Sequence, residues 1–239
     1  MTPRPKKTVV ITQSNYIPWR GYFDLIRQAD AFVIFDTVQY TRHDWRNRNQ
    51  IKTRTGLQWL TVPIRSEFGQ SIDHTQIAGA GWMDKHIRTI DYAYRAAPAF
   101  GEISPWLFAL MREAAAKPLL SQCNEHLLVA ITRQLGIQTP FCRSETLIER
   151  GEMEAMERTD RAVRICEAAG ATRYLCGPAA QSYIDTARFE AHGIEFAWMN
   201  YDGYREYPQC WGAFEPRVSI VDLLLNCGDQ AAAYLERHA

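Results

Sequence analysis

Short, nearly unbroken apolar runs alternate along this chain with stretches of helical periodicity. TVVIT (8–12) and AFVIFD (31–36) are such runs, and residues 22–29 between them read as a short helix. Strand, loop, helix and strand in so short a span predict a βαβ unit with parallel strands. Unbroken apolar strands are expected where helices cover both faces of a parallel sheet. WLTVPI (59–64) predicts a further strand, stopped or edged by Pro63.

The middle of the chain is helical in pattern, over residues 83–94, 105–115 and 124–136. In the last of these Leu127, Leu128, Ile131 and Leu135 share a face, and Gly136 stands where a glycine ends a helix. Alternation then resumes. Strands are predicted at 139–142, 173–176 and 194–199, and helices at 161–170, 186–193 and 219–226. The expected fold is a single α/β domain over 1–239, three-layered with a mainly parallel sheet, carrying a helical insertion at about 83–136.

Composition narrows the function classes. Lys and Arg balance Asp and Glu at 27 each, so the whole chain has no field to gather nucleic acid or an anionic membrane. Any electrostatic recognition is local. The six cysteines lack C-x-x-C spacing and zinc-finger histidines, which favours reduced thiols over a metal site. The apolar run after MTPRPKK is too short for a signal sequence, and no segment approaches the ~20 apolar residues of a membrane span. A cytoplasmic protein is expected, and a homodimer is compatible with the chain.

Ligands of open α/β sheets bind beyond the carboxyl ends of the strands. Three unusual segments follow predicted strands there. The first, QSNYIPWRGYF, offers Gln13, Asn15, Tyr16, Trp19, Gly21 and Tyr22. The second, DTVQYTRHDWRNRNQIK (36–52), begins a cluster of five cations within 42–54, namely Arg42, Arg46, Arg48, Lys52 and Arg54, against Asp44 alone. Guanidinium forks fit phosphate or carboxylate, Asn47 and Asn49 can read hydroxyls, and Trp45 and Trp59 can stack on a base or a pyranose. A phosphate-bearing small ligand is one reading; a solvated cationic loop is the other. Asp36 ends its strand where a catalytic carboxylate would project, or where an Asp would close a turn. Gln39 follows it. The third segment, CGPAAQSYID (176–185), contributes Gly177, for close backbone approach before a helix start, and Tyr183. In YREYPQCWGAFEP (204–216), Tyr207, Gln209 and Trp211 either close over a site or pack as a structural loop. No serine or cysteine nucleophile motif is present, and of the scattered histidines only His43 lies in the suspected site.

Together QSNYIPWRGYFDLIRQADAFVIFDTVQYTRHDWRNRNQIK, GLQWLTVPI, RYLCGPAAQSYID and YPQCWGAFEPRVSIVDLLLNCG resemble the WbqC-like family over nearly the entire chain. The resemblance implies a bacterial protein of surface-polysaccharide and amino-sugar synthesis. Its usual Q-P-N-Y-L-P-W turn has Ser14 here in place of the first proline. A looser likeness is to the HUP/Rossmann-like nucleotidyltransferase-type core, whose H-x-G-H stands where Trp19-Arg20-Gly21-Tyr22 does here. Both histidines are replaced, so that likeness supports the fold more than adenylyl transfer.

The expected activity is acyl or aminoacyl transfer to the amine of a nucleotide-activated amino sugar. Arg46, Arg48 and Lys52 would hold phosphates, Asn47, Asn49 and Gln13 read hydroxyls, Asp36 act as base, and Tyr16 and Tyr22 shape the pocket. An ATP-dependent ligase or nucleotidyltransferase and a non-catalytic nucleotide-sugar scaffold are the alternatives.

Overall fold

The computed structural model describes residues 6–65 and 67–237. His238 and the first five residues of the N-terminal MTPRPKK lie outside them. In chain order the elements are β1 (Thr8–Thr12), α1 (Arg20–Arg27), β2 (Ala31–Ile34), β3 (Arg48–Thr53), β4 (Gly56–Thr61), β5 (Ile64–Arg65) and β6 (Gln76–Ile77). They continue through α2 (Trp82–Tyr94), α3 (Phe100–Ala115), α4 (Leu120–Gln134), β7 (Phe141–Arg143), α5 (Arg150–Glu154) and α6 (Arg158–Ala168). The chain ends with β8 (Arg173–Cys176), α7 (Thr186–Ala191), β9 (Glu195–Trp198) and α8 (Ile220–Cys227).

The chain forms two compact units. The first comprises residues through Gln13, Asp24–Thr37 and Ile137–Tyr201. It is built on a five-stranded sheet, all parallel, in the order β7-β2-β1-β8-β9. Numbered within the sheet this is 3-2-1-4-5, an order found in doubly wound nucleotide-binding folds. The architecture is a three-layer α/β sandwich with helices flanking the sheet; the closer HUP-type likeness rests on sequence alone. Val9, Ile11, Val33 and Tyr174 on one face pack with Val163, Ile165 and Cys166 of α6 and Phe189 of α7. The Tyr174 and Phe189 rings stack at 4.9 Å. Central β1 is buried on both faces, as its unbroken apolar run predicts.

The second unit comprises Ser14–Phe23, Val38–Gly136 and the chain from Asp202. Helices α2 and α8 pack against β3 of the β3–β4 hairpin, and α3 packs against α2, α4 and α8. Leu127, Leu128 and Ile131 form the fully buried stripe of α4, and Gly136 takes φ 72° just past the helix, as expected. Two expectations are corrected here. Pro105 does not begin its helix: α3 starts at Phe100, and buried Ile103 and Ser104 hold the turn that precedes the proline. The cationic segment is not all loop either. RNQIKT is β3, paired antiparallel with GLQWLT from Arg48↔Thr61 to Thr53↔Gly56. Asn49 and Ile51 point into the core with Leu60, while Arg48, Gln50, Trp59 and Thr61 share the other face.

Candidate functional site

The aromatic turn after β1 belongs to the core of the second unit. Tyr16 and Ile17 are fully buried and Tyr22 nearly so. Ile17 sits at φ 36°, a costly conformation for a β-branched residue, and its carbonyl accepts from Asn49 Nδ2 at 3.0 Å and Ser219 Oγ at 2.7 Å. Asn49 thus fastens the turn, donating also to the Tyr16 carbonyl at 3.2 Å. The Tyr16 hydroxyl meets His86 Nδ1 at 2.9 Å. Gly21 serves close approach, but of a side chain: an added Cβ would lie 2.3 Å from the Trp19 indole. Asn15 accepts from Arg46, which also faces Asp44 at 3.6 Å.

Two more site candidates hold the fold. Asn47 Nδ2 donates to the Val62 carbonyl at 2.9 Å while its oxygen accepts from Tyr40 at 2.9 Å. Lys52 Nζ donates to Gln209 Oε1 at 2.9 Å and to the Ala213 carbonyl. Gln209 in turn donates to Asp222, which also accepts from Tyr94 at 2.7 Å and Tyr207 at 2.8 Å. Burial holds the Asp222 carboxyl above its ordinary pKa, opposed by these hydrogen bonds and by Lys52. Trp211 donates to the Ala93 carbonyl at 2.8 Å. Tyr207, Gln209 and Trp211 are therefore tied into an internal latch, the structural alternative for that loop.

What remains of the cationic segment borders a cavity of about 750 Å³ within the second unit. Arg42, His43, Arg48 and Arg65 line it with Tyr40, Asn47, Gln70 and Gln76, and among the described residues Glu67 is its one carboxylate. Among the described residues no carboxylate pairs with Arg42, Arg48 or Arg65. Three guanidiniums against one acid favour an anionic guest, and amide and phenol groups suit hydroxyls. His43 is held at φ 61°, and its carbonyl accepts from Arg48 Nη2 at 2.5 Å. The Arg48 guanidinium lies over the Trp59 ring at 4.2 Å, and Trp45 and Trp59 stand 5.6 Å apart, each about two-fifths exposed. Arg65, Gln70 and Gln76 were invisible as site residues in sequence, because only the pairing of β5 with β6 and the folding back of 70–76 bring them beside Arg42. Gln39 is exposed and bridges Ser71 next to this cavity's Tyr40.

The first unit carries its own candidates. Gln13, Asp36 and Gly177 follow β1, β2 and β8, three adjacent strands, so they share the carboxyl edge of the sheet. β2 stops at Ile34, leaving buried Asp36 two residues beyond it. Only a three-residue 3-10 turn follows Gly177, in place of the helix start that was expected. Tyr183 is half exposed beneath the Arg158 guanidinium. Among the described residues no cluster of His, Cys, Asp and Glu could hold a metal, no disulfide forms, and no helix is long and apolar enough to cross a membrane.

Fold and cavity together define a three-layer α/β protein whose second, helical unit presents an arginine-lined pocket. The chain belongs to the WbqC-like protein family, whose model matches residues 13–234. It is 47% identical over 232 residues to the uncharacterized protein Rv1507c of Mycobacterium tuberculosis, covering 96% of this chain and 97% of that one. No solved structure matches the chain.

Proposed function

We propose that the protein binds a nucleotide-activated amino sugar and transfers an acyl or aminoacyl group to its amine. The observation that carries the binding half is the cavity with Arg42, Arg48 and Arg65 against a single carboxylate, in a chain of zero net charge. Its volume lies within the range of small-molecule sites. The family resemblance, with its implied amino-sugar chemistry, supports the choice of substrate. In this reading Arg42 and Arg65 join Arg48 as the diphosphate ligands in place of Arg46 and Lys52, because Arg46 is engaged by Asn15 and Asp44 and Lys52 by Gln209 and Ala213.

An amine nucleophile needs only positioning and removal of its proton, which suits a chain without a serine or cysteine nucleophile motif. Nitrogen attacks the acyl carbon, the donor's leaving group departs with its electron pair, and the ammonium proton passes to a carboxylate. Asp36, buried at the carboxyl edge of the first unit's sheet, is kept as the candidate base from the sequence alone, independently of the cavity, and has its own test. General bases contribute about 10²–10⁴ in rate, so Asp36→Asn should cut turnover by at least about a hundred-fold and leave ligand affinity intact. Turnover surviving in that variant removes Asp36 from the mechanism.

The binding half is tested by thermal shift. A uridine diphosphate amino sugar at a hundred times its Kd should stabilise the fold by about 2.7 kcal/mol, and by more than ATP with magnesium does at the same concentration. Stabilisation by ATP and not by the nucleotide sugar would replace the transferase with an ATP-dependent ligase.

A further inference from the structure

The tryptophan pair beside the cavity makes the pocket two-part, and this inference rests on the anion-binding reading above. Trp59 lies on β4 on the same hairpin face as Arg48, one diagonal step away, because Arg48 opposes Thr61 and Gln50 opposes Trp59. Arg48 therefore belongs to both features: it lines the cavity and its guanidinium lies 4.2 Å from the centre of the Trp59 ring. Its Nη2 is fixed on the His43 carbonyl, so the fork is already oriented. Trp45 continues the surface, its plane 35° from that of Trp59. Both indoles are more than 40% exposed, and Leu57 beyond them on the same face is 44% exposed.

Exposed single hydrophobic side chains need no explanation, but two adjacent indoles aligned with a guanidinium at the edge of a cationic cavity do. The arrangement is that of a stacking platform beside a phosphate site. We propose that Trp45 and Trp59 form the nucleobase subsite, with the base lying on the indoles and the diphosphate reaching Arg48, Arg42 and Arg65. A base has two open π-faces and gains from indole and guanidinium alike. Recognition by stacking is tolerant of base identity, so the subsite selects for a nucleotide over a bare anion more than for one base over another.

The test is calorimetric titration of the full chain with UDP, inorganic diphosphate and glucosamine 1-phosphate, in the wild type and in Trp45→Ala. Trp45 is the substitution of choice because its side chain touches Trp59 and leaves the Arg48–Trp59 contact in place. UDP should bind the wild type roughly ten-fold or more tightly than inorganic diphosphate. Trp45→Ala should lose most of that advantage while binding inorganic diphosphate as the wild type does, which also certifies its fold. UDP binding no tighter than diphosphate, or equal losses for both ligands in Trp45→Ala, overturns the subsite but leaves the anion site standing. Tryptophan-dependent affinity for glucosamine 1-phosphate without any for UDP overturns it in favour of a pyranose platform. Absence of binding by every ligand removes the anion site and the subsite together.

Discussion

His86 should make this protein sensitive to mild acid, and the size of the effect follows from its surroundings. The side chain is 5% exposed on the inner face of α2, 2.9 Å from the Tyr16 hydroxyl and edge-on to Trp82 at 5.3 Å. Burial pushes its pKa down to about 4, against a hydrogen bond with the Thr61 backbone and with help from Lys85. In the unfolded chain a histidine titrates near 6.5. Between those values the unfolded chain holds a proton that the folded one does not, so stability falls as the pH falls. The contribution is complete above about pH 6.5 and is lost towards the folded pKa. The whole interval is worth about 3 kcal/mol at about 1.4 kcal/mol per pH unit, and about 2 kcal/mol of it is gone by pH 5. Urea unfolding at pH 7.5 and pH 5, in the wild type and in His86→Gln, isolates this term because every other titrating group is common to both. Gln keeps an acceptor for Tyr16 and does not titrate. The wild type should lose about 2 kcal/mol more than the variant over that interval. Equal pH dependence in the two proteins would show that His86 is not held neutral in the fold, and the reasoning from burial would fail.

Three further outcomes follow from single contacts. Gly21→Ala should lower Tm although alanine favours helices, because the Trp19 indole 2.3 Å from the new methyl must swing away from its edge contact with Tyr204; an unchanged or higher Tm contradicts this. Asp222→Ala strips the acceptor from Tyr94, Tyr207 and Gln209. At about 1–3 kcal/mol for each stranded donor, the urea midpoint should fall by the equivalent of at least about 3 kcal/mol, and a loss under about 1 kcal/mol would mean the latch is dispensable. Diphosphate affinity should weaken as sodium chloride is raised from 0.05 to 0.5 M, since Arg42 and Arg65 are exposed; salt-independent binding would place the anion elsewhere.

Apolar continuity was the most legible feature of the chain. β1 occupies the predicted 8–12 and β8 the predicted 173–176, because buried parallel strands must be apolar on both faces. The hairpin was not legible as such. Ile51 is the only apolar side chain in RNQIKT, and inward-facing Asn49 is polar because it must satisfy the carbonyls of the strained turn at Ile17. The same cations that advertised a site also disguised its geometry. Lys52, buried beneath residues 209–213, is indistinguishable in sequence from Arg48, which lines the cavity. Arg65 carried no local signal, since its place depends on the short β5–β6 pairing.

The central claim is that the arginine-lined cavity of the second unit holds a phosphate-bearing ligand. Its most direct test is titration of inorganic diphosphate into the wild type and into an Arg42→Ala/Arg65→Ala double variant at low salt. Both side chains are exposed, so the variant should keep its fold. Each lost charge-assisted contact is worth about 1.5–3 kcal/mol, so affinity should fall by roughly a hundred-fold or more. Equal affinity in the two proteins would contradict the account.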